Sequence, residues 1–169
     1  MGKENHDQNI AGFFEQALEI EQKSADIYAK LSKLFSHVPE VSAFWDELAK
    51  DEKQHRDTLK EIYDSLTNEQ LSSFLNEDFM QKVNEIQNIL NKDLISLIKN
   101  LNDAYELAHE LEYFEVEAVF KFLANKVITS EERKNFILLE INDHQQKLMV
   151  FSKKYGDATS RRRVTIQST

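Results

Sequence analysis

The stretch Asp51-Glu52-Lys53-Gln54-His55 decides how the rest of this chain is interpreted. It lies in a long charged segment whose apolar residues recur every three or four positions, which is the period of an amphipathic helix. Glu52 and His55 are three residues apart, so their side chains share one helix face about one turn apart. A carboxylate and an imidazole placed in this way can hold one metal ion between them. A solvated helix face that happens to contain a histidine gives the same pair, so other parts of the chain must complete the site.

The composition favours a single all-α domain. The chain has 169 residues, of which 41% are hydrophobic and 30% are charged, with only 3 glycines and 1 proline. Turns and strands consume glycine and proline, so their scarcity predicts few, long helices. A formal net charge of −9 disfavours nucleic acid and anionic membranes as partners. No apolar run approaches the roughly 18 residues of a membrane span, and the absence of cysteine excludes thiolate metal sites in this chain.

Hydrophobic periodicity predicts four main helices, which cover approximately residues 9–35, 39–65, 101–125 and 130–155. Pro39 fits the first turn of the second helix. A capping box at Thr67 opens residues 67–100, which we interpret as a helical crossover because the segment is too long for a tight turn. A second capping box at Thr129 precedes the last helix. Five residues are expected in the core: Phe44, Trp45, Leu48, Phe136 and Leu148.

These boundaries predict a helical domain at residues 9–155, a flexible N-terminus at 1–8 and a C-terminal tail at 156–169. The tail contains Arg161-Arg162-Arg163 and is expected to be frayed, with an oligomer contact or phosphate binding as the alternative role of the arginines. The polar N-terminus carries no export signal, so the expected location is the cytoplasm.

The chain also contains an internal repeat. An offset of 91 residues places Glu21 on Glu112, and an offset of 89 residues places His55 on His144. Matches between glutamates arise easily in amphipathic helices, but the chain has only 5 histidines and two of them superpose. The repeat therefore indicates two tandem helix pairs of similar register.

The repeated residues resemble the ferritin-like proteins of the rubrerythrin type. The first predicted helix contains Ala17-x-x-x-Glu21-x-x-x-Ala25-x-x-Tyr28, which is similar to the first helix of that family. Glu52-x-x-His55 is similar to the second. The paired glutamates of the third helix resemble Glu112-x-x-Glu115, and the histidine of the fourth resembles His144. The resemblance covers most of residues 10–155 and implies a ferritin-like four-helix bundle with a helical crossover between helices 2 and 3.

The resemblance also implies a di-iron site, whose metal ligands would be Glu21, Glu52, His55, Glu112, Glu115 and His144. Carboxylates with one imidazole per metal suit Fe or Mn, and a histidine with carboxylates also suits Zn. The implied chemistry is that of a non-haem di-iron oxidoreductase, which reduces peroxide or oxidises Fe(II). Without cysteine the chain has no rubredoxin-type iron centre, so the electrons would come from a separate donor protein.

One position departs from the family pattern. Three residues before His144 the chain has Ile141, where the family has a bridging glutamate. The adjacent Glu140 lies about 100° round the helix and would reach inward only through a π-bulge or a rotated helix. His109 is either a substitute ligand or a surface histidine. The missing carboxylate predicts that the metal position using His144 is weaker than the other one.

Three functions remain open at this point. The chain is an oxidoreductase, a non-catalytic module that holds one metal ion, or a helical interaction domain with a degenerate site. The crossover carries more apolar residues than one bundle flank needs, which predicts a homodimer through that surface. These residues are Phe74, Phe79, Ile86, Ile89, Leu90, Leu94 and Leu97.

Overall fold

The computed structural model describes residues 8–168, and within that range every regular element is helical. The helices are α1 (Ile10–Leu34), α2 (Pro39–Asp64), α3 (Asn68–Leu71), α4 (Glu77–Leu90), α5 (Leu101–Glu115), α6 (Glu131–Tyr155) and α7 (Ala158–Arg162). The predicted flexible N-terminus lies outside the described residues except for Gln8, whose carbonyl accepts a hydrogen bond from the Leu75 amide. None of the described helices is long and apolar enough to cross a membrane.

The helix ends follow local capping chemistry. Pro39 occupies the first turn of α2, as predicted. The Thr67 side chain accepts from the Gln70 amide, and the Gln70 side chain accepts from the Thr67 amide, which completes the predicted capping box of α3. At α6 the capping side chain is Ser130, one residue after the predicted position.

α5 does not end as an ordinary helix. It continues into two π-helical segments, Val116–Phe120 and Leu123–Val127, so the third long helix of the bundle runs from Leu101 to Val127. The sequence predicted the helix but not its widened turns. Such turns carry one extra residue and are frequent at functional sites.

The core is centred on α1 and α2, which make the most extensive contact between two described helices. Trp45, Leu48 and Leu148 are buried, as predicted. Phe44 is half-buried and stacks on Phe151 with a centroid separation of 3.9 Å. The prediction for Phe136 is wrong, because this side chain is 50% exposed. α6 directs Ile137, His144, Leu148 and Phe151 inward, which leaves the position before Ile137 on the outer side.

The crossover contains helices, as predicted, but α4 ends at Leu90 and a short 3₁₀ helix, Ile95–Leu97, lies between it and α5, so the expected continuous helix to about residue 99 is wrong. The apolar face of the crossover is largely covered. Met80, Val83, Ile86 and Leu90 of α4 are buried, and α4 packs mainly on α1. Of the apolar crossover residues, Phe74 and Leu97 remain 70% and 67% exposed. The expectation of a large uncovered crossover surface is therefore wrong. The exposed apolar side chains lie mostly on α6 instead: Phe136, Leu138, Leu139, Met149 and Val150.

The C-terminal segment is ordered, which corrects the expectation of a frayed tail. α7 packs on α5, and the Leu101 amide donates to the Val164 carbonyl at 2.8 Å. Arg161 is buried, lies 4.5 Å from the centroid of the Tyr105 ring, and donates through Nε to Asn102 Oδ1 at 3.1 Å. This arginine therefore anchors the C-terminal segment to the bundle.

Candidate metal centre

The four long helices bring six ionisable side chains into the middle of the bundle. α1 contributes one, α2 two, α5 two and α6 one, and all six are buried: Glu21, Glu52, His55, Glu112, Glu115 and His144. Each lies on the apolar side of its helix. Glu21, for example, follows the buried Ala17 by one turn and precedes the buried Ala25 by another. The spacing that predicts the core therefore also directs these polar groups inward.

Glu52 lies between the two histidines. His55 Nδ1 is 3.4 Å from Glu52 Oε2 and 3.6 Å from Glu21 Oε2. His144 Nδ1 is 3.3 Å from Glu52 Oε1 and 2.9 Å from Glu112 Oε2. Each imidazole therefore faces a different oxygen of the same carboxylate, together with a second glutamate of its own. The two imidazoles are also neighbours, with ring centroids 4.6 Å apart, and one ligand atom from each of Glu52, His55 and His144 lies within 4.8 Å of the other two.

Glu115 joins the cluster from the side of Glu21. Ligand oxygens of Glu21, Glu52 and Glu115 lie within 4.8 Å of one another. Ser24 donates a hydrogen bond to Glu115, and the Tyr28 hydroxyl donates to Glu112 Oε1 at 2.8 Å. These two hydroxyl groups fix the orientation of the carboxylates on α5 from α1.

Much of the buried polar surface has no hydrogen-bond partner among residues 8–168. The buried atoms without a partner include both carboxylate oxygens of Glu21 and of Glu52, both ring nitrogens of His55, and His144 Nε2. Burying an unpaired carboxylate costs several kcal/mol unless a cation or a proton compensates its charge. A divalent cation held by several carboxylates and an imidazole would compensate them, so the donor set fits Fe, Mn or Zn.

Without a cation, burial favours the protonated form of several of these carboxyl groups. Burial and the neighbouring carboxylates raise the pKa of Glu21, Glu52 and Glu115 well above its ordinary value. Burial alone would also raise the pKa of Glu112, but hydrogen bonds from His144 and Tyr28 lower it below the ordinary value. Burial lowers the pKa of His144, yet its contacts with Asp51 and Glu112 outweigh that effect and raise the pKa to about 12.

Ile141 and the two candidate substitutes for its missing carboxylate, Glu140 and His109, lie in three different environments. Ile141 is half-buried and packs against the hydrophobic core. Glu140 reaches His55 from a regular α-helix, so neither a π-bulge nor a marked rotation of the helix is needed. Glu140 Oε2 lies 3.4 Å from His55 Nε2, whereas His55 Nδ1 faces the buried glutamates. His109 is exposed, in a groove between α5 and α6 that Glu112 also lines.

Sequence reasoning missed Asp51. Its Oδ2 lies 3.3 Å from His144 Nε2 and 2.7 Å from Lys147 Nζ. The signal was present in the repeat, because the offset of 89 residues that superposes the histidines also superposes Asp51 on Glu140. The π-helical segment directly after Glu115 had no such signal.

A sequence model described as rubrerythrin matches residues 12–149. The chain belongs to the rubrerythrin family. The match spans all four long helices and every one of the six clustered residues, and it agrees with an all-α, ferritin-like bundle. Neither the curated proteins nor the solved structures contain a match to this chain. For a member of this family, a buried cluster of carboxylates and histidines indicates a ferritin-like metal-binding protein.

Proposed function

We propose that this rubrerythrin-family protein is a non-haem di-iron oxidoreductase that reduces peroxide or oxidises Fe(II). One metal position would use Glu21, His55 and one oxygen of Glu52. The other would use Glu112, His144 and the second oxygen of Glu52. Glu115 would supply a further carboxylate near Glu21.

The observation that supports this proposal is the burial of four glutamates and two histidines around one carboxylate. Four carboxylates carry the charge that two divalent cations require, even though position 141 is isoleucine. The two Nδ1 atoms face different oxygens of Glu52, so this one carboxylate could serve two ions.

The protein's own residues would do three things. Tyr28 and Ser24 orient the α5 carboxylates through their hydrogen bonds. The surrounding apolar side chains, including Phe120 against His55 with ring centroids 5.4 Å apart, keep bulk water out of the cluster. The bound metal would supply the redox chemistry, and a separate protein would supply the electrons, because the chain has no cysteine.

The second candidate is a metal-binding module without turnover, and Ile141 is the observation that favours it. An apolar side chain at that position leaves α6 with only an imidazole to offer from its inner face. If that loss empties the His144 position, one ion remains at Glu21, Glu52 and His55.

Metal analysis and a single oxidation assay test both candidates. The full chain is purified without added metal, its Fe, Mn and Zn content is measured, and the metal-free protein is titrated anaerobically with Fe(II) before peroxide is added. We expect up to two Fe(II) per chain and oxidation of the bound iron by peroxide. Glu112→Gln should reduce the stoichiometry, whereas Glu110→Gln on the exposed side of α5 should not.

The possible results separate the candidates. One tightly bound ion that peroxide does not oxidise would identify the non-catalytic module. A chain that binds no metal, and whose Glu112→Gln variant behaves as the parent does, would contradict both candidates and leave the helical interaction domain.

We also propose that the chain forms a homodimer, but through α6 rather than through the crossover. Most of the exposed large apolar side chains among residues 8–168 are on α6, and Phe136, Leu139 and Val150 lie on one side of it, which supports this choice because exposed apolar surface often marks interfaces. Light scattering at micromolar concentration should give twice the chain mass of 19.8 kDa, and a monomer mass would contradict the proposal.

A further inference from the structure

Outside the ligand cluster, two carboxylates approach the histidines from the opposite side. Asp51 Oδ2 lies 3.3 Å from His144 Nε2, and Glu140 Oε2 lies 3.4 Å from His55 Nε2. In both imidazoles the other nitrogen, Nδ1, faces the buried glutamates. The two rings therefore have the same orientation, with the outer nitrogen towards one carboxylate and the inner nitrogen towards the cluster.

The two contacts are reciprocal. Asp51 lies on α2 and contacts the histidine of α6, whereas Glu140 lies on α6 and contacts the histidine of α2. Asp51 and Glu140 are also equivalent positions of the internal repeat, related by the offset that relates His55 to His144. The same contact thus occurs once in each half of the molecule, between side chains that sequence alone places in register.

We propose that Asp51 and Glu140 are positioning residues, each of which holds Nε2 of the histidine on the facing helix so that Nδ1 is presented to the metal. This inference rests on the proposed function, because it assumes that the imidazoles bind metal. A ligating histidine commonly donates its remaining N–H to a carboxylate, which fixes its tautomer and ring orientation. The separations of 3.3 Å and 3.4 Å are longer than the usual length of such a bond, about 2.7–3.2 Å, and neither Nε2 atom has a hydrogen-bond partner among residues 8–168. We expect both distances to shorten to hydrogen-bond length when metal is bound.

This role explains why Glu140 does not replace the carboxylate missing at position 141. Its oxygen approaches the outer nitrogen of His55, and the inner donors of that position already belong to Glu21 and Glu52. The two positioning residues also differ in support. Asp51 is held by Lys147 at 2.7 Å, whereas Glu140 is 37% exposed and makes no ion pair except with His55 among residues 8–168.

The test uses the full chain and its variants Asp51→Asn and Glu140→Gln, which keep the size of each side chain. Zn(II) affinity is measured by competition with a chromophoric chelator, and the ring nitrogens are assigned by long-range proton–nitrogen NMR. We expect each variant to bind Zn(II) about 10–100-fold more weakly. The Nε2–H proton of His144 should lose its protection from solvent exchange in Asp51→Asn, and that of His55 should lose it in Glu140→Gln.

Matched controls separate this role from general effects of charge. Asp143→Asn removes another carboxylate contact of Lys147, at 3.0 Å, without touching His144. Glu132→Gln removes an exposed charge from α6. Neither should change Zn(II) affinity or ring-proton exchange. Asp51→Glu and Glu140→Asp, which keep the carboxylate, should recover part of the affinity, and they also serve if an amide variant fails to fold.

The outcomes distinguish this inference from the proposed function. If the parent chain binds Zn(II) and the two amide variants bind it equally well with unchanged ring protons, the positioning role is wrong and the metal site stands. Zn(II) bound through Nε2 in the parent would overturn the inference in the same way. If neither the parent chain nor any variant binds metal, the proposed function fails, and selective loss of the protection of the two Nε2–H protons would still support the paired contacts.

Discussion

The two helix pairs of this protein share a register but not a packing arrangement. α2 buries eight of its 26 residues, whereas α6 buries four of its 25. Both helices nevertheless carry one buried histidine at equivalent positions of the repeat. In the first pair the histidine stands on a helix fixed by apolar packing. In the second pair the histidine lies on a helix with fewer buried side chains, which also makes ionic contacts such as those of Lys147 with Asp51 and Glu47.

The comparison shows that a repeated sequence pattern need not give two equal metal positions. The first pair keeps Glu52 three residues before its histidine, and the second has Ile141 there. By the other offset, Ser24 of the first pair is equivalent to Glu115 of the second, and these two residues contact each other. The second pair thus lacks a carboxylate on α6 and has an additional one on α5.

Glu52→Gln should have the largest effect, because among residues 8–168 Glu52 is the one glutamate that contacts both His55 and His144. An amide keeps the shape but removes the charge, so we expect both positions to bind Mn(II) or Fe(II) more than about 100-fold more weakly. Calorimetric titration of the metal-free protein measures this. Glu61→Gln, on the exposed side of α2, is the control. Loss of a single position, with the other unchanged, would show that the two halves do not share Glu52.

Ile141→Glu tests the same comparison by adding a carboxylate to the second helix pair instead of removing one. In the unmodified chain we expect two unequal sites, with the position of Glu52 and His55 filling first, or one site only. Adding a carboxylate at 141 should strengthen the weaker position by about 10–100-fold and raise the stoichiometry towards two. Leu138→Glu introduces the same charge at an exposed site of α6 and should change neither quantity. Two equally tight sites in the parent, unaffected by Ile141→Glu, would mean that Glu115 or solvent already compensates for the missing glutamate.

Much of this comparison could be read from the sequence. The long helices and the helical crossover follow from hydrophobic periodicity, and the capping box at Thr67 follows from its residue types. The six clustered residues follow from the resemblance to the rubrerythrin type, and the structure buries all of them. Their burial is observed, whereas their role as metal ligands stays a prediction. The family assignment is confirmed by the match to residues 12–149.

The errors of sequence reasoning lie mainly where packing between distant segments decides the outcome. Phe136 is a large apolar side chain of the kind usually found in a core. The rotation of α6 is set by the buried Ile137, His144 and Leu148, however, and leaves Phe136 on the outer side. Arg161 belongs to a run of three arginines, which is typical of a solvated tail. It is buried because its guanidinium group lies over the Tyr105 ring and donates a hydrogen bond to Asn102 Oδ1. The π-helical turns after Glu115 add a residue per turn without a sequence signal that periodicity could detect.

The stability of the metal-free protein should fall as pH rises from about 5 to 8. Glu21, Glu52 and Glu115 have folded-state pKa values above those of the unfolded chain, and so does His144 at about 12. The folded state therefore binds more protons than the unfolded state in this range, and it loses that advantage as pH rises. Glu112 and Asp51 have lowered pKa values, so their contribution is already complete above about pH 5 and stays constant.

Thermal unfolding in the presence of a chelator measures this dependence. Each kcal/mol lost should lower Tm by roughly 2–4 °C. With Mn(II) in excess the trend should reverse, since the metal competes with the same protons. Glu21→Gln should flatten the metal-free pH profile and Glu15→Gln, at the exposed side of α1, should leave it unchanged. A metal-free Tm that rises between pH 5 and 8 would show that the buried glutamates ionise without penalty.

The smallest expected effect is a difference in local stability between α2 and α6. Fewer buried side chains hold α6, so its backbone amides should open at a lower free energy than those of α2 in the metal-free protein. We expect about tenfold faster hydrogen exchange near His144 than near His55, which corresponds to roughly 1.4 kcal/mol. Metal should slow exchange in α6 more than in α2, because the ion would tie His144 to glutamates on α2 and α5. Hydrogen exchange is measured by mass spectrometry at two protein concentrations. Protection of α6 by a dimer contact would depend on concentration, whereas protection by its own packing would not. Equal protection of both helices in the dilute, metal-free chain would mean that the ionic contacts of α6 hold it as firmly as apolar packing holds α2.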